Sequence, residues 1–307
     1  MAYGPKGKLH VGWSDSAVAT NVDPRRKRGR IKQFKGSGPV MAISPNGRLA
    51  VTQLKGATPG RVFRVRDARS VVELNQLGTL GSARFSQDGK KLFVAQSDGR
   101  IHVWRQAQDL ELLLSKRTKV QEYVARQNAH YNMNFGLPAF IMLDHGKDLV
   151  FGTQQGKLYY WSAATPGEAD IALHLVPPIR SVVRQQDALF GTSSDGHLRG
   201  YSFKRDGLVP WTKQARAAWV AAGQKHSKHV ATVGEVKPVL AWRDSATGKI
   251  KWKKDISALG KNHCGLSVDP KGKHIAMCVD QVIHIHRTKD GKRTRVIRRQ
   301  GKKLRWK

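Results

Sequence analysis

The sequence predicts an all-β fold built from one unit written about seven times. Three observations carry this. Short apolar runs alternate with polar turns containing Gly with Pro, Asp or Lys, and the turn that follows the first run of each unit recurs about every forty residues. The third run of several units closes on an aromatic, at Trp104, Trp161, Tyr201 and Trp242.

The first unit offers "KLHVGW", "SAVATNV" and "RIKQFKG", with the basic loop "DPRRKRGR" before its last run, and is expected to lack one strand. The second reads "VMAISPNGRLAVTQLKGATPGRVFRV", the third "ARFSQDGKKLFVAQSDGRIHVW" and the fourth "AFIMLDHGKDLVFGTQQGKLYYW". "IRSVVRQQDALFGTSSDGHLRGY", "AAWVAAGQKHSKHVATVGEVKPVLAW" and "CGLSVDPKGKHIAMCVDQVIHIH" follow. Turn markers fall at Gly7, Gly47, Gly89, Gly146, near Asp187, near Ser227 and at Gly272, evenly apart from one long interval between the third and fourth units. Outer runs supply a fourth strand: "SVVELNQL", "LELLLSK", "IALHLV", "LVPWTK", "KIKWKK" and "RTRVIRR" alternate apolar with polar or basic residues, as a half-exposed edge strand does. Inner runs are β-branched and poor in charge, which suits strands covered on both faces.

A period near forty with four short strands per unit is the pattern of propeller blades. The expected fold is a single seven-bladed β-propeller over residues 1–307, made of four-stranded antiparallel blades and closed by pairing of the chain ends. Blades begin near residues 1, 37, 80, 136, 177, 215 and 261, a basic tail covers 293–307, and the run "KKLRWK" is available for closure.

The first turns "SPNG", "SQDG" and "DPKG" and the third-strand aromatics resemble the WD-repeat β-propeller family over essentially the whole chain. The likeness is divergent: no unit carries the Gly-His pair before its first strand, and no third strand ends in Trp-Asp. What the resemblance implies is a scaffold that holds protein partners. In the sixth unit "AWRDSATGKIKW" resembles instead the repeat of quinone-dependent propeller dehydrogenases, in which Thr-Gly makes a turn and Trp docks between blades. One such match among seven units implies structure rather than a cofactor, and no cofactor is expected.

Charge is the other signal. Lys+Arg number 55 against 22 Asp+Glu, for a formal net charge of +33. Much of it lies at the two ends, in residues 1–35 and 285–307. In a closed ring those segments are neighbours, and juxtaposed like charges repel unless anions lie between them. The expected nucleic-acid-binding residues are Arg25, Arg26, Lys27, Arg28, Arg30 and Lys32 from the first unit, with Arg293, Arg295, Arg298, Arg299, Lys302, Lys303, Arg305 and Lys307 from the last. Arginine predominates, and its fork matches phosphate oxygens. RNA is favoured over DNA, in a ribonucleoprotein particle, because no helix suited to a major groove is visible. An acidic protein subunit of a larger assembly is the alternative partner. In the long insertion "SKRTKVQEYVARQNAHYNMNFGLP", Tyr123, Tyr131 and Phe135 interleave with basic residues and are candidates for base stacking.

Catalysis and metal binding are not expected. No Gly-x-Ser-x-Gly elbow, phosphate loop or His-Glu-x-x-His helix occurs. His284 and His286 share one strand face, but alternation in "VIHIHR" is ordinary for a solvent-facing strand. The two cysteines, Cys264 and Cys278, lie on neighbouring strands and are expected as buried small side chains. No signal peptide or membrane span is visible, so the protein is expected to be soluble and intracellular, cytoplasmic or nuclear, and without a membrane partner.

Overall fold

A computed structural model describes residues 2–306 except 4–7, 14, 24–27, 35–36, 55–59, 75–79, 87, 97–100, 107–109, 117–138, 144–147, 153–156, 163–168, 175–178, 186, 194, 205–206, 215–216, 218, 223–227, 235–236, 261 and 301–302. Sheet one holds β1 (Ala2–Tyr3), β2 (Leu9–Gly12), β3 (Ala17–Asp23) and β4 (Arg28–Gln33). Sheet two holds β5 (Ser37–Ile43), β6 (Leu49–Leu54), β7 (Gly60–Arg64) and β8 (Arg69–Glu73). Sheet three holds β9 (Leu80–Phe85), β10 (Lys91–Gln96), β11 (Ile101–Gln106) and β12 (Leu110–Lys116). Sheet four holds β13 (Ala139–Leu143), β14 (Asp148–Gly152), β15 (Lys157–Ser162) and β16 (Ala169–His174).

Sheet five holds β17 (Ile179–Gln185), β18 (Ala188–Ser193), β19 (Leu198–Ser202) and the short β20 (Gly207–Leu208), followed by a 3-10 turn at Pro210–Gln214. Sheet six holds β21 (Trp219–Ala222), β22 (His229–Val233), β23 (Val239–Asp244) and β24 (Ile250–Asp255). Sheet seven holds β25 (His263–Val268), β26 (His274–Val279), β27 (Val282–Arg287), β28 (Arg293–Gln300) and β29 (Lys303–Trp306). In each sheet sequential strands are hydrogen-bonded neighbours.

Three expectations are corrected. Among the described residues six sheets have four strands and the seventh has five, so the units are not seven identical four-stranded blades. The terminal strands do not pair with each other: β29 pairs β28 and β1 joins β2. A two-residue connection between the partners Gln300 and Lys303 makes this pairing local, and closing a short loop costs far less entropy than joining remote ends. The first unit is also complete, its fourth strand being the short β1. In unit five the outer run "LVPWTK" ends as a strand at Leu208, because Pro210 has no N–H to give a ladder and instead opens the 3-10 turn.

The chain divides into two compact units, one of residues 10–20 and 30–174 and one of residues 1–9, 21–29 and 175–307. In the first, sheets two and three bury Val51, Val62, Leu74, Leu92 and Val94 together, and Phe34 stacks on Phe63 at 4.6 Å between ring centres. In the second, Ile275, Met277 and Val279 of sheet seven pack against Ala231, Leu240 and Trp242 of sheet six.

Two tryptophans of this second unit serve as docks. Trp211 donates from Nε1 to the carbonyl of Ser245 at 3.0 Å, and Trp252 donates from Nε1 to the carbonyl of Thr288 at 2.6 Å. Each ring lies against the glycine of the next sheet's third turn, Gly248 and Gly291, leaving 2.6 and 2.7 Å where a methyl group would stand. This is the arrangement implied by "AWRDSATGKIKW". The unit also holds a covalent link that the sequence reading missed. Cys278 is disulfide-bonded rather than a free small side chain, and Cys264, the one other cysteine of the sequence, lies on the adjacent strand β25.

Candidate functional site

The outer strands of sheet seven follow from their sequence. "RTRVIRRQ" alternates, so β28 turns Ile297 inward, where it is buried, and Arg298 outward. β29 runs back along it with Ile297 opposite Trp306, Arg298 opposite Arg305, Arg299 opposite Leu304 and Gln300 opposite Lys303. The register sorts the hairpin into two faces. Arg298, Gln300, Lys303 and Arg305 share the exposed one, while Ile297, Arg299, Leu304 and Trp306 share the covered one.

On the exposed face two arginines stand directly opposite each other, a pairing that is destabilising without a counter-ion. The Arg305 Nε donates to Gln300 Oε1 at 2.8 Å, which orients the guanidinium without neutralising it. Among the described residues no ion pair involves Arg293, Arg298, Lys303 or Arg305. The nearest acid in sequence, Asp290, is taken by Arg287, whose hydrogen bond lowers the Asp290 carboxyl to about 2. Exposed Lys254 on β24, the outer strand of sheet six, is a further cation close enough to act on His286 of sheet seven.

The covered face meets the start of the chain. A Cβ placed on Gly29 of β4 would lie 2.8 Å from Leu304 Cδ1 and 3.2 Å from Val22 Cγ2, so β29 rests on β3 and β4 at this point. Of the expected site residues, Arg28 and Arg30 lie on β4, and Lys32 on the same strand is half-buried. Arg295 and Arg299 are half-buried on β28, and Arg293, Arg298, Lys303 and Arg305 are exposed. Arg25, Arg26, Lys27, Lys302 and Lys307 lie outside the described residues, as do Tyr123, Tyr131 and Phe135.

The histidines of β27 depart from the solvent-facing position expected for them. His284 and His286 are not solvent-facing; they are 5% and 4% exposed. The strand is third of five, and from Ile283 to His286 it is covered on both faces, so alternation along that stretch exposes nothing. His284 lies opposite Met277 on β26 and Val296 on β28, and neither ring nitrogen has a hydrogen-bond partner. Burial lowers its pKa to about 4, with Arg293, His286 and Arg298 adding to the shift. His286 is lowered likewise by burial, opposed by its bond to the Gly291 carbonyl at 3.1 Å and reinforced by Arg293 and Lys254. The signal that could have found them was the outer run that follows, which makes their strand an inner one.

Among the described residues no three His, Cys, Asp or Glu side chains stand close enough to hold a metal ion, and no helix is long and apolar enough to cross a membrane.

No protein-family model and no curated protein matches the chain. Solved structures do. The β-propeller domain of Cps50 (Swd1) from Myceliophteria thermophila superposes with a TM-score of 0.63 at 15% identity, over 91% of this chain and 91% of that one. Saccharomyces cerevisiae Sqt1 superposes with a TM-score of 0.64 at 11% identity, over 96% of this chain and 83% of that one. Likeness at such low identity speaks for architecture and not for role, and the architecture it establishes is that of a WD40-like β-propeller.

Proposed function

We propose that this propeller is a non-catalytic binding scaffold whose cationic face on β28 and β29 docks an acidic protein partner. The observation that supports it is the register placing Arg298 against Arg305 with Lys303 alongside, a face of cations without a carboxylate. Such a surface favours an anionic partner, because the partner relieves repulsion that the free chain bears. The WD-repeat resemblance supports protein over nucleic acid as that partner. In this reading residues 1–307 form a single WD40-like propeller of seven units.

Nucleic acid is the second reading, supported by the dominance of arginine over lysine in "RTRVIRR" and by the density of charge in the last residues. A pull-down from lysate before and after nuclease treatment separates the two. Retention of partners after nuclease, and their loss when Arg298, Lys303 and Arg305 are changed together to Glu, is the outcome expected for a protein partner. Loss on nuclease treatment moves the assignment to nucleic acid. Binding untouched by the charge reversal removes this face from either role.

A further inference from the structure

The two histidines of β27 sit in an environment that ordinary core packing does not explain. Opposite them β28 carries a bulge: His284 faces Val296 and Ile285 faces Arg295, but His286 faces Arg293, so Thr294 is passed over. Simple alternation would put Arg293 on the other side of the sheet from Val296 and Arg298. The extra residue turns it onto the histidine face, the kind of re-aiming that bulges perform. His284, His286, Arg293 and Arg298 therefore share one face, with Arg298 the diagonal neighbour of His284.

Every charged group that acts on the pair is a cation. Arg293 and Arg298 act from β28 and Lys254 from β24, while β26 contributes only Ile275 and Met277 directly opposite. Three ring nitrogens, both of His284 and Nε2 of His286, are buried without a hydrogen-bond partner. A buried polar atom left unpaired costs about 1–3 kcal/mol, and three in one place call for a ligand. The ring of His286 is fixed: its Nδ1–H donates to the Gly291 carbonyl, so the neutral ring presents a lone pair at Nε2. That lone pair repels an anion, and a proton placed there converts it into a donor.

We propose that this face of sheet seven is a proton-coupled site for a small tetrahedral oxyanion of the phosphate type. Arg293 and Arg298 hold the anion at the exposed rim, His284 donates one ring N–H from below, and His286 takes up a proton at Nε2 as the anion enters. Without the anion, burial and the surrounding cations oppose that proton; with it, the positive ring is paired. Anion and proton thus bind together, each raising the affinity for the other. The site uses inorganic phosphate chemistry alone and stands whether the macromolecular partner is protein, nucleic acid or neither.

The test follows the histidine ring resonances of the intact chain by NMR through a pH titration, in phosphate and in a chloride buffer of matched ionic strength, with calorimetry of phosphate binding. Phosphate is expected to raise the midpoints of His284 and His286 by about one pH unit or more, and its affinity to climb about tenfold per unit of falling pH where one proton is taken up. Arg293→Gln with Arg298→Gln changes only exposed side chains and is expected to weaken phosphate binding about tenfold or more. Midpoints indifferent to phosphate, an affinity flat with pH, or binding unaltered in the double variant would each overturn the proposal.

Discussion

The first turn of sheet three differs from the third turns of sheets six and seven in whether a neighbouring sheet reaches it. In "SPNG" and "SQDG" a serine secures the turn from within, and "SPNG" is also met from outside by His10 of sheet one, whose Nε2 donates to the Pro45 carbonyl at 3.1 Å and whose ring leaves 2.5 Å where a methyl group on Gly47 would stand. Ser44 Oγ donates to Asn46 at 2.8 Å and accepts from the Leu49 N–H, and Ser86 Oγ donates to Asp88 at 2.6 Å and accepts from the Lys91 N–H. Gly89 serves only for its positive φ of 73°, since the nearest atom to an added methyl group is 3.7 Å away. The third turns of sheets six and seven have internal bonds too, to Asp244 and Asp290, but are clamped in addition from outside, by Trp211 and Trp252 of the preceding sheet. A self-held turn stabilises its own hairpin, whereas a clamped turn ties the hairpin to its neighbour, so damage there spreads.

The sharpest way to break this contrast is to fill the clamped glycines. Gly248→Ala and Gly291→Ala combine a positive φ with a ring in the way, and each is expected to lose about 3 kcal/mol or more by urea denaturation. Acid comes next. The folded chain keeps His284 neutral down to about pH 4, while an unfolded chain protonates it near 6.5. The share of stability that rests on a neutral His284 is therefore full above 6.5, falls as pH drops, and is gone below about 4, where the lowered carboxyls of Asp195 and Asp290 begin to be protonated in turn. The total loss in phosphate-free buffer is on the order of 2–3 kcal/mol and is removed by His284→Leu. Gly89→Ala, strained in φ but free of contact, is expected to cost about 1–2 kcal/mol. Ser86→Ala, which removes one turn's internal bonds, should cost about 1 kcal/mol, with no effect on the tryptophan fluorescence of the docked sheets. Equal losses at Gly89 and Gly248 would show that the clamp contributes nothing.

The same contrast explains what could be read from the sequence. Self-held turns are written in four adjacent letters, and the strands beside them in alternating runs, so most of the sheets were legible. Docking was legible in "AWRDSATGKIKW" because that stretch holds the turn of one clamp, at Gly248, and the tryptophan of the other, Trp252, while their partners Trp211 and Gly291 lie outside it. The fifth strand was visible as a run, "KKLRWK", but not its partner: hydrophobic pattern says that a segment is a strand and leaves open which edge it joins. His284 and His286 were seen and assigned to solvent, because period two identifies a shared face without saying whether that face is covered. The bulge at Thr294 had no signal at all. It is a matter of register, and register is settled between strands.

The added strand β29 has one more consequence. Any sheet that stops at an open ladder of N–H and C=O groups invites another strand to continue it, and β28, with its apolar Val296 and Ile297, would make such a template. β29 occupies that ladder with a segment of four residues, two of them Lys303 and Arg305, so a second copy approaching edge-on meets a shorter edge whose cations add to the arginines of β28. Removal of β29 should leave a molecule that polymerises through its last sheet, a self-association detectable by light scattering.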